Sequence, residues 1–148
     1  MSVAARSASP TTAPTPGYSG KPLAIKLGLK PGMRVMLHDA PADYWTLCAF
    51  NPSLVTRASA RQAFAFGHVF ATRRTLLARA LKSAAAKLDE NGMLWISWPK
   101  KSSGVTTDLT EDTLRELALP IGLVDVKVCA VTEVWSGLKF VWRRERRG

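Results

Sequence analysis

The sequence predicts an α/β protein: a single three-layer sandwich on a mostly parallel sheet, closed by a C-terminal antiparallel hairpin. Three observations predict it. Strand-like apolar runs alternate with amphipathic segments, as parallel strands joined by crossovers require. One run, Phe64-Ala-Phe-Gly-His-Val-Phe70, is apolar almost throughout, as a strand covered on both faces should be. The last two runs, 124–131 and 138–142, lie too close for a crossover, so they should pair antiparallel.

The elements follow in order. Pro22 suits a first helical turn, Leu23, Ile25 and Leu27 supply apolar surface, and Gly28 can cap the end. Lys30-Pro-Gly-Met33 is a turn into the strand Arg34-Val-Met-Leu-His38. A helix is expected over 42–50, stopped by Asn51-Pro52, and Leu54-Val-Thr56 reads as a short strand. After 64–70, the residues Leu76, Leu77, Ala80, Leu81, Ala84 and Leu88 share one helical stripe, with Arg79 and Lys82 opposite. Asn91-Gly92 should end that helix, and Met93-Leu-Trp-Ile-Ser-Trp98 should return as a strand. Asp108 and Glu111 have capping-box-like spacing and Thr110 is a competing N-cap, so a helix is expected over 110–118. Pro120 and Gly122 follow it. Trp135-Ser-Gly137 should turn the chain from the strand at 124–131 into Leu138-Lys-Phe-Val-Trp142.

Length and composition fit one globular domain. The chain has 148 residues, 47% apolar and 22% charged. Thirteen of the first sixteen residues are Ala, Pro, Ser or Thr, which cannot offset their ordering entropy by burial. The expected organisation is a disordered tail over 1–16, one folded domain over 17–143 and a basic end over 144–148. No apolar run reaches the ~20 residues that span a bilayer, and no signal-peptide core opens the chain, so a cytoplasmic protein without a membrane partner is expected. Cys48 and Cys129 are too few for a disulfide framework, and no spacing of His, Cys, Asp and Glu suggests a metal.

Two stretches carry a resemblance. Leu88-Asp-Glu-Asn-Gly-Met-Leu-Trp-Ile is similar to the helix–glycine–strand passage of class I methyltransferases, as is the closing hairpin. More specifically, six ordered segments resemble the bacterial family named domain of unknown function 3052. They are Gly17-Tyr-Ser-Gly20, Leu27-Gly-Leu-Lys-Pro-Gly-Met-Arg-Val35, Trp98-Pro-Lys-Lys-Ser-Ser-Gly104, Thr107-Asp-Leu-Thr-Glu-Asp112, Gly122-Leu-Val-Asp-Val-Lys-Val-Cys-Ala130 and Trp135-Ser-Gly-Leu-Lys-Phe140. The resemblance implies a Rossmann-like fold and carries no activity with it.

A working methyltransferase needs a glycine-rich turn after the first strand and an acid after the second, for the ribose hydroxyls. Here the first turn reads His38-Asp-Ala-Pro-Ala-Asp-Tyr44, without glycine, and Arg57 follows the expected second strand. No cofactor is therefore expected, and the chain reads as a binding or regulatory module before an enzyme, with a divergent methyltransferase as one alternative.

Net charge is 21 − 11 = +10, which points to an anionic partner. Ligands of open parallel sheets sit beyond the carboxyl ends of the strands. There the sequence places Lys100, Lys101, Ser102, Ser103 and Gly104, with the Trp135 turn expected beside Trp98 and Lys100. Two lysines, two hydroxyls and a glycine suit a phosphate-bearing small ligand, walled by Trp98 and Trp135. Arg73 and Arg74, at a helix start where cations oppose the macrodipole, are further ligand candidates. The competing reading of both is a solvated surface. His38 and Asp39 are adjacent, but strand neighbours point to opposite faces, so no catalytic residue is assigned. His68, inside an apolar run, reads as a hydrogen-bonded core histidine. The alternative partner is nucleic acid, bound without base readout by Arg57, Arg61, Arg73, Arg74, Arg79, Lys82, Lys87 and the C-terminal arginines. The sequence names no protein partner.

Overall fold

Six strands form one sheet in a computed structural model that describes residues 22–147. The expected tail and the Gly17-Tyr-Ser-Gly20 segment lie outside the described residues. The strands are β1 (Arg34–His38), β2 (Thr56–Arg57), β3 (Phe64–Phe70), β4 (Leu88–Pro99), β5 (Leu123–Ala130) and β6 (Trp135–Trp142). Their order across the sheet is β2-β1-β3-β4-β6-β5. The first four run parallel, and β6 lies antiparallel between β4 and β5. The α/β sandwich with a closing antiparallel pair is therefore the observed fold.

Helices cover both faces. α3 (Arg74–Ala85) and α4 (Glu111–Ala118) bury Leu77, Leu81, Leu114 and Ala118 against Leu94, Ile96, Leu138 and Phe140. α1 (Leu23–Leu27) and α2 (Tyr44–Cys48) bury Leu23, Leu27, Tyr44 and Cys48 against Val35, Phe66, Phe70 and Trp95. The Trp95 indole N–H donates to the Leu27 carbonyl at 2.8 Å and ties α1 to the sheet. Gly28 ends α1 in the left-handed region, at φ 81°. Trp95 and Trp98 both lie in the core, on opposite faces.

Four expectations are corrected. α2 is shorter than 42–50, because Ala49 turns left-handed at φ 54° and closes it. The strand expected at 54–56 begins at Thr56, because the Asn51 side chain accepts from Ser53 N–H and holds Pro52–Leu54 in a 3-10 turn. Asn91-Gly92 does not end a helix. Leu88, the last apolar residue of the predicted stripe, pairs with Phe64, and the residues after it bulge within β4. A Cβ on Gly92 would lie 3.0 Å from the Ala65 carbonyl oxygen, so the bulge closes on a residue without one. Trp135-Ser-Gly137 is strand, since Trp135 pairs with Pro99; Thr132 Oγ1 accepts from the Val134 and Trp135 N–H groups and forms the turn instead.

The Arg-rich end is docked. Arg143 donates to the Leu119 carbonyl, and Arg146 stacks 4.0 Å over the Trp142 ring.

One connection positions the site. Residues 58–63 lead from β2 past β1 to the start of β3, six residues that form no helix. A crossover between parallel strands normally takes a dozen or more residues and brings a helix with it. The face of β1 beside α3 is consequently uncovered, and Leu76 of α3 is 51% exposed.

Candidate ligand-binding site

The helix-free crossover leaves a groove of about 600 Å³ between β1, β2 and α3. Met36, Phe64, Leu76, Ala80 and Ala84 give it an apolar floor. The α3 residues present Leu76, Ala80 and Ser83 at helical spacing, beside the stripe that Leu77, Leu81 and Ala84 turn to the core. Arg57, Arg79 and Lys87 line the same groove, with Asp39 as its acid. Arg57 donates to the Leu37 carbonyl at 3.3 Å. Arg79 and Lys87 have no ion-pair partner among the described residues.

A smaller cavity of about 140 Å³ adjoins it at the carboxyl ends of β1 and β3. Phe70, Ala71, Thr72 and Trp135 line it, and it shares His38, Asp39 and Leu76 with the groove. The order β2-β1-β3 reverses direction between β1 and β3, so the smaller cavity and the His38–Asp39 end of the groove lie at the switch point where such sheets bind ligands. The groove runs on from there to Phe64 and Lys87 at the amino ends of β3 and β4. Trp135 is held edge-on to Phe70, ring centres 5.1 Å apart.

Asp39 sits in the left-handed region at φ 54°, a conformation Asp tolerates better than most side chains. It thereby turns back on its neighbour. His38 Nε2 and Asp39 Oδ2 are 3.4 Å apart, where an extended chain would have sent them to opposite faces.

Below the smaller cavity lies a buried chain of polar groups. Tyr44 Oη is 2.9 Å from His68 Nδ1, and His68 Nε2 is 2.8 Å from Ser97 Oγ. Burial lowers the His68 pKa to about 3, so the imidazole is neutral, and it pushes the Tyr44 phenol far up. The geometry is that of an activated serine, but His68 and Ser97 have no exposed surface and no substrate reaches them. Phe70 stacks on His68 at 4.3 Å and forms the lid. The chain is a core tie, as His68 within an apolar run predicts. Burial likewise raises Cys48 to about 11, which keeps the thiol protonated. Among the described residues no His, Cys, Asp and Glu group could hold a metal, and no helix is long and apolar enough to cross a membrane.

The residues singled out in the sequence fall in several places. β4 and β6 bring Lys100 beside Trp135: Pro99 pairs with Trp135, and Lys100 N–H donates to the Val134 carbonyl at 2.7 Å. Lys101–Ser103 is a 3-10 turn closed by Gly104 at φ 77°. Ser103 Oγ donates to the Lys100 carbonyl and accepts from Val105 N–H, while Ser103 and Gly104 N–H groups bond within the turn. Lys101 and Ser102 are exposed. The loop lines neither cavity described above. Trp98 is turned away from Trp135, 8% exposed in the α3–α4 core. Arg73 is exposed at the start of α3. Arg74 N–H donates to Asp108 Oδ1 at 2.7 Å, and its guanidinium pairs with Glu116 at 2.8 Å. Arg79 and Lys87 appeared in the sequence only as members of a diffuse basic set, and Arg57 there and as the cation in place of a ribose-binding acid. The signal that would have gathered them is the six-residue gap between Arg57 and Phe64, too short for the helix that should cover β1.

At the positions where a methyltransferase cofactor is normally held, the β1 turn has no glycine and β2 ends in Arg57. No family model and no curated protein matches the chain. Solved structures do. Magnesium protoporphyrin IX methyltransferase (ChlM) from Synechocystis PCC 6803 with bound SAH is similar at TM-score 0.56 and 11% identity, over 81% of this chain and 78% of that one. The Methanococcus jannaschii fibrillarin pre-rRNA processing protein is similar at 0.52 and 12%, over 76% and 67%. A LepI variant in complex with SAH and a substrate analogue is similar at 0.51 and 18%, over 82% of this chain. This chain covers 39% of LepI's length. At such identities the likeness is one of architecture: the chain has the Rossmann-like fold of methyltransferases.

Proposed function

We propose that the groove between β1 and α3 binds a small molecule carrying an anionic group on an apolar or aromatic body. The helix-free crossover carries this reading, because it leaves an apolar floor lined by three cations, in a groove whose His38–Asp39 end reaches the ligand-bearing edge of the sheet. A volume of about 600 Å³ fits the ~300–1,000 Å³ of small-molecule sites. Arg79 and Lys87, without carboxylate partners, supply charge-assisted donors for an anion. On this reading the protein is a binding or regulatory module.

The solved-structure likeness favours a second reading, S-adenosylmethionine-dependent methyl transfer, over a non-catalytic role, since ChlM and LepI were solved with bound SAH. The glycine-free β1 turn and Arg57 at the end of β2 weigh the other way. Both readings use one cleft, so one experiment separates them. Calorimetric titration of the full chain with SAH and with ribose 5-phosphate should show the phosphate binding, and Arg79→Ala with Lys87→Ala should weaken it at least tenfold. SAH binding with ribose 5-phosphate silent would establish the enzyme reading and sink ours.

The Lys100–Gly104 loop, with Arg73, is a second anion site on the same proposal. Lys100→Ala with Lys101→Ala tests it, because an unchanged ribose 5-phosphate titration removes the loop from the site. Nucleic acid is the competing partner of the basic surface. Retention of mixed DNA on a filter at low salt, lost in steep proportion to salt, would favour it. The six ordered segments also support membership of the family named domain of unknown function 3052.

A further inference from the structure

We infer that the two adjoining cavities form one divided site for a nucleoside 5′-phosphate, with base, ribose and phosphate each in its own compartment. The inference rests on the groove reading above and names the class of its ligand.

The smaller cavity suits the base. Its volume of about 140 Å³ holds one flat ring system and no more of a ligand. Trp135 and Leu76 line it, and Phe70 fixes the indole edge-on at 5.1 Å. Aromatic faces accept bases by stacking, whatever the base. Thr72 adds a polar edge: its carbonyl already accepts from Thr107 Oγ1, while its hydroxyl has no partner among the described residues.

Asp39 suits the ribose. It stands where the two cavities meet, its side chain 76% exposed beside His38. A carboxylate accepts from vicinal ribose hydroxyls, and dinucleotide-binding folds place that acid after the second strand. In this chain Arg57 holds that place, and the acid is offered from the end of β1. The left-handed Asp39 backbone is what returns the carboxylate to the shared mouth.

The groove suits the phosphate. Arg57 and Arg79 gain a dianion as partner, with Lys87 farther along the groove at the start of β4. S-adenosylmethionine, net positive through its sulfonium, would bring them a like charge. The apolar floor limits competing hydration.

The test titrates the full chain calorimetrically with AMP, GMP, adenosine, ribose 5-phosphate and SAH at low salt, while tryptophan emission is followed. The expected result is a nucleoside monophosphate bound at least tenfold tighter than either adenosine or ribose 5-phosphate, with quenched emission. Arg79→Ala with Lys87→Ala should erase the gain over adenosine. Trp135→Leu should erase the gain over ribose 5-phosphate, and Asp39→Asn should erase any preference for AMP over 2′-deoxy-AMP. Leu76→Glu, at a half-exposed position that leaves the core intact, should abolish binding by setting a carboxylate at the mouth. Ribose 5-phosphate binding as tightly as both monophosphates would overturn the divided site and leave the groove reading standing. No binding of any phosphate compound would overturn both.

Discussion

A histidine without exposed surface holds one charge state while the same residue in the unfolded chain changes its own, and this makes stability depend on pH. His68 titrates near its ordinary 6.5 when unfolded and at about 3 when buried. Between those values the unfolded chain binds a proton that the native state refuses, so stability is full above pH 6.5 and lost as pH falls toward 3. From pH 7 to 4.5 the loss attributable to His68 is about 2–3 kcal/mol. Urea midpoints should therefore fall more steeply for the wild type than for His68→Gln, and parallel curves would show that His68 does not titrate this way. Gly67 makes a second residue-scale case. A Cβ there would lie 2.6 Å from Phe64 Cε1 and 2.8 Å from Leu94 Cδ1, so Gly67→Ala should destabilise by about 1–3 kcal/mol in chemical denaturation. The core role of His68 was legible from the apolar run around it. Its partners were not, because Tyr44 and Ser97 are 24 and 29 residues away and meet it only when α2 packs on the sheet and β3 pairs with β4. The convergence of His38 and Asp39 was likewise hidden, since it depends on one left-handed backbone position.

At the scale of elements, α3 and α4 show how the fold chooses between two caps that local spacing offers. Asp108 lies three residues before Glu111 and looks like the start of α4. In the fold, Thr110 caps α4 by accepting from Thr113 N–H, and Asp108 reaches across 34 residues to the first turn of α3. The two arginines that begin α3 oppose its dipole, and Asp108 with Glu116 answers them with negative charge. Asp108→Ala should cost about 1 kcal/mol of stability by thermal or urea unfolding, and Asp108→Asn much less, since Asn still accepts. Equal losses would assign the effect to charge rather than to the cap. The alternation of strands and helices was legible throughout, because each element carries its own period. Two of the four errors fell where tertiary pairing overrides local preference, and the other two at Ala49 and Asn51, where a single backbone or side-chain conformation reset an element's end. Leu88 fits a helical stripe, yet ladder pairing with Phe64 makes it strand, and Trp135 reads as a turn until Pro99 is opposite it.

For the whole molecule, the question is where a charge of +10 gathers. Arg74 and Arg115 are paired with carboxylates, and Arg143 and Arg146 are docked on a carbonyl and an indole. Arg79 and Lys87, with Arg57, line an apolar groove that exists because six residues replace a crossover helix. Arg61, Arg73, Lys82, Lys100 and Lys101 carry charge elsewhere on the surface, unpaired among the described residues. The sequence led to the expectation of a ligand at the carboxyl edge, held by Lys100–Gly104 and its neighbours; of those candidates only Trp135 lines either cavity described above. The sequence did not gather the three cations, which are separated by up to 30 positions and share a wall only after the sheet forms. Backbone amide shifts in a ¹⁵N-labelled chain titrated with AMP test the central claim most directly. Shifts concentrated at 36–39, 57–59, 70–72, 76–87 and 135, and abolished by Arg79→Ala with Lys87→Ala, are the predicted result. Shifts confined to 100–104 or to the C-terminal arginines, with the groove silent, would contradict it.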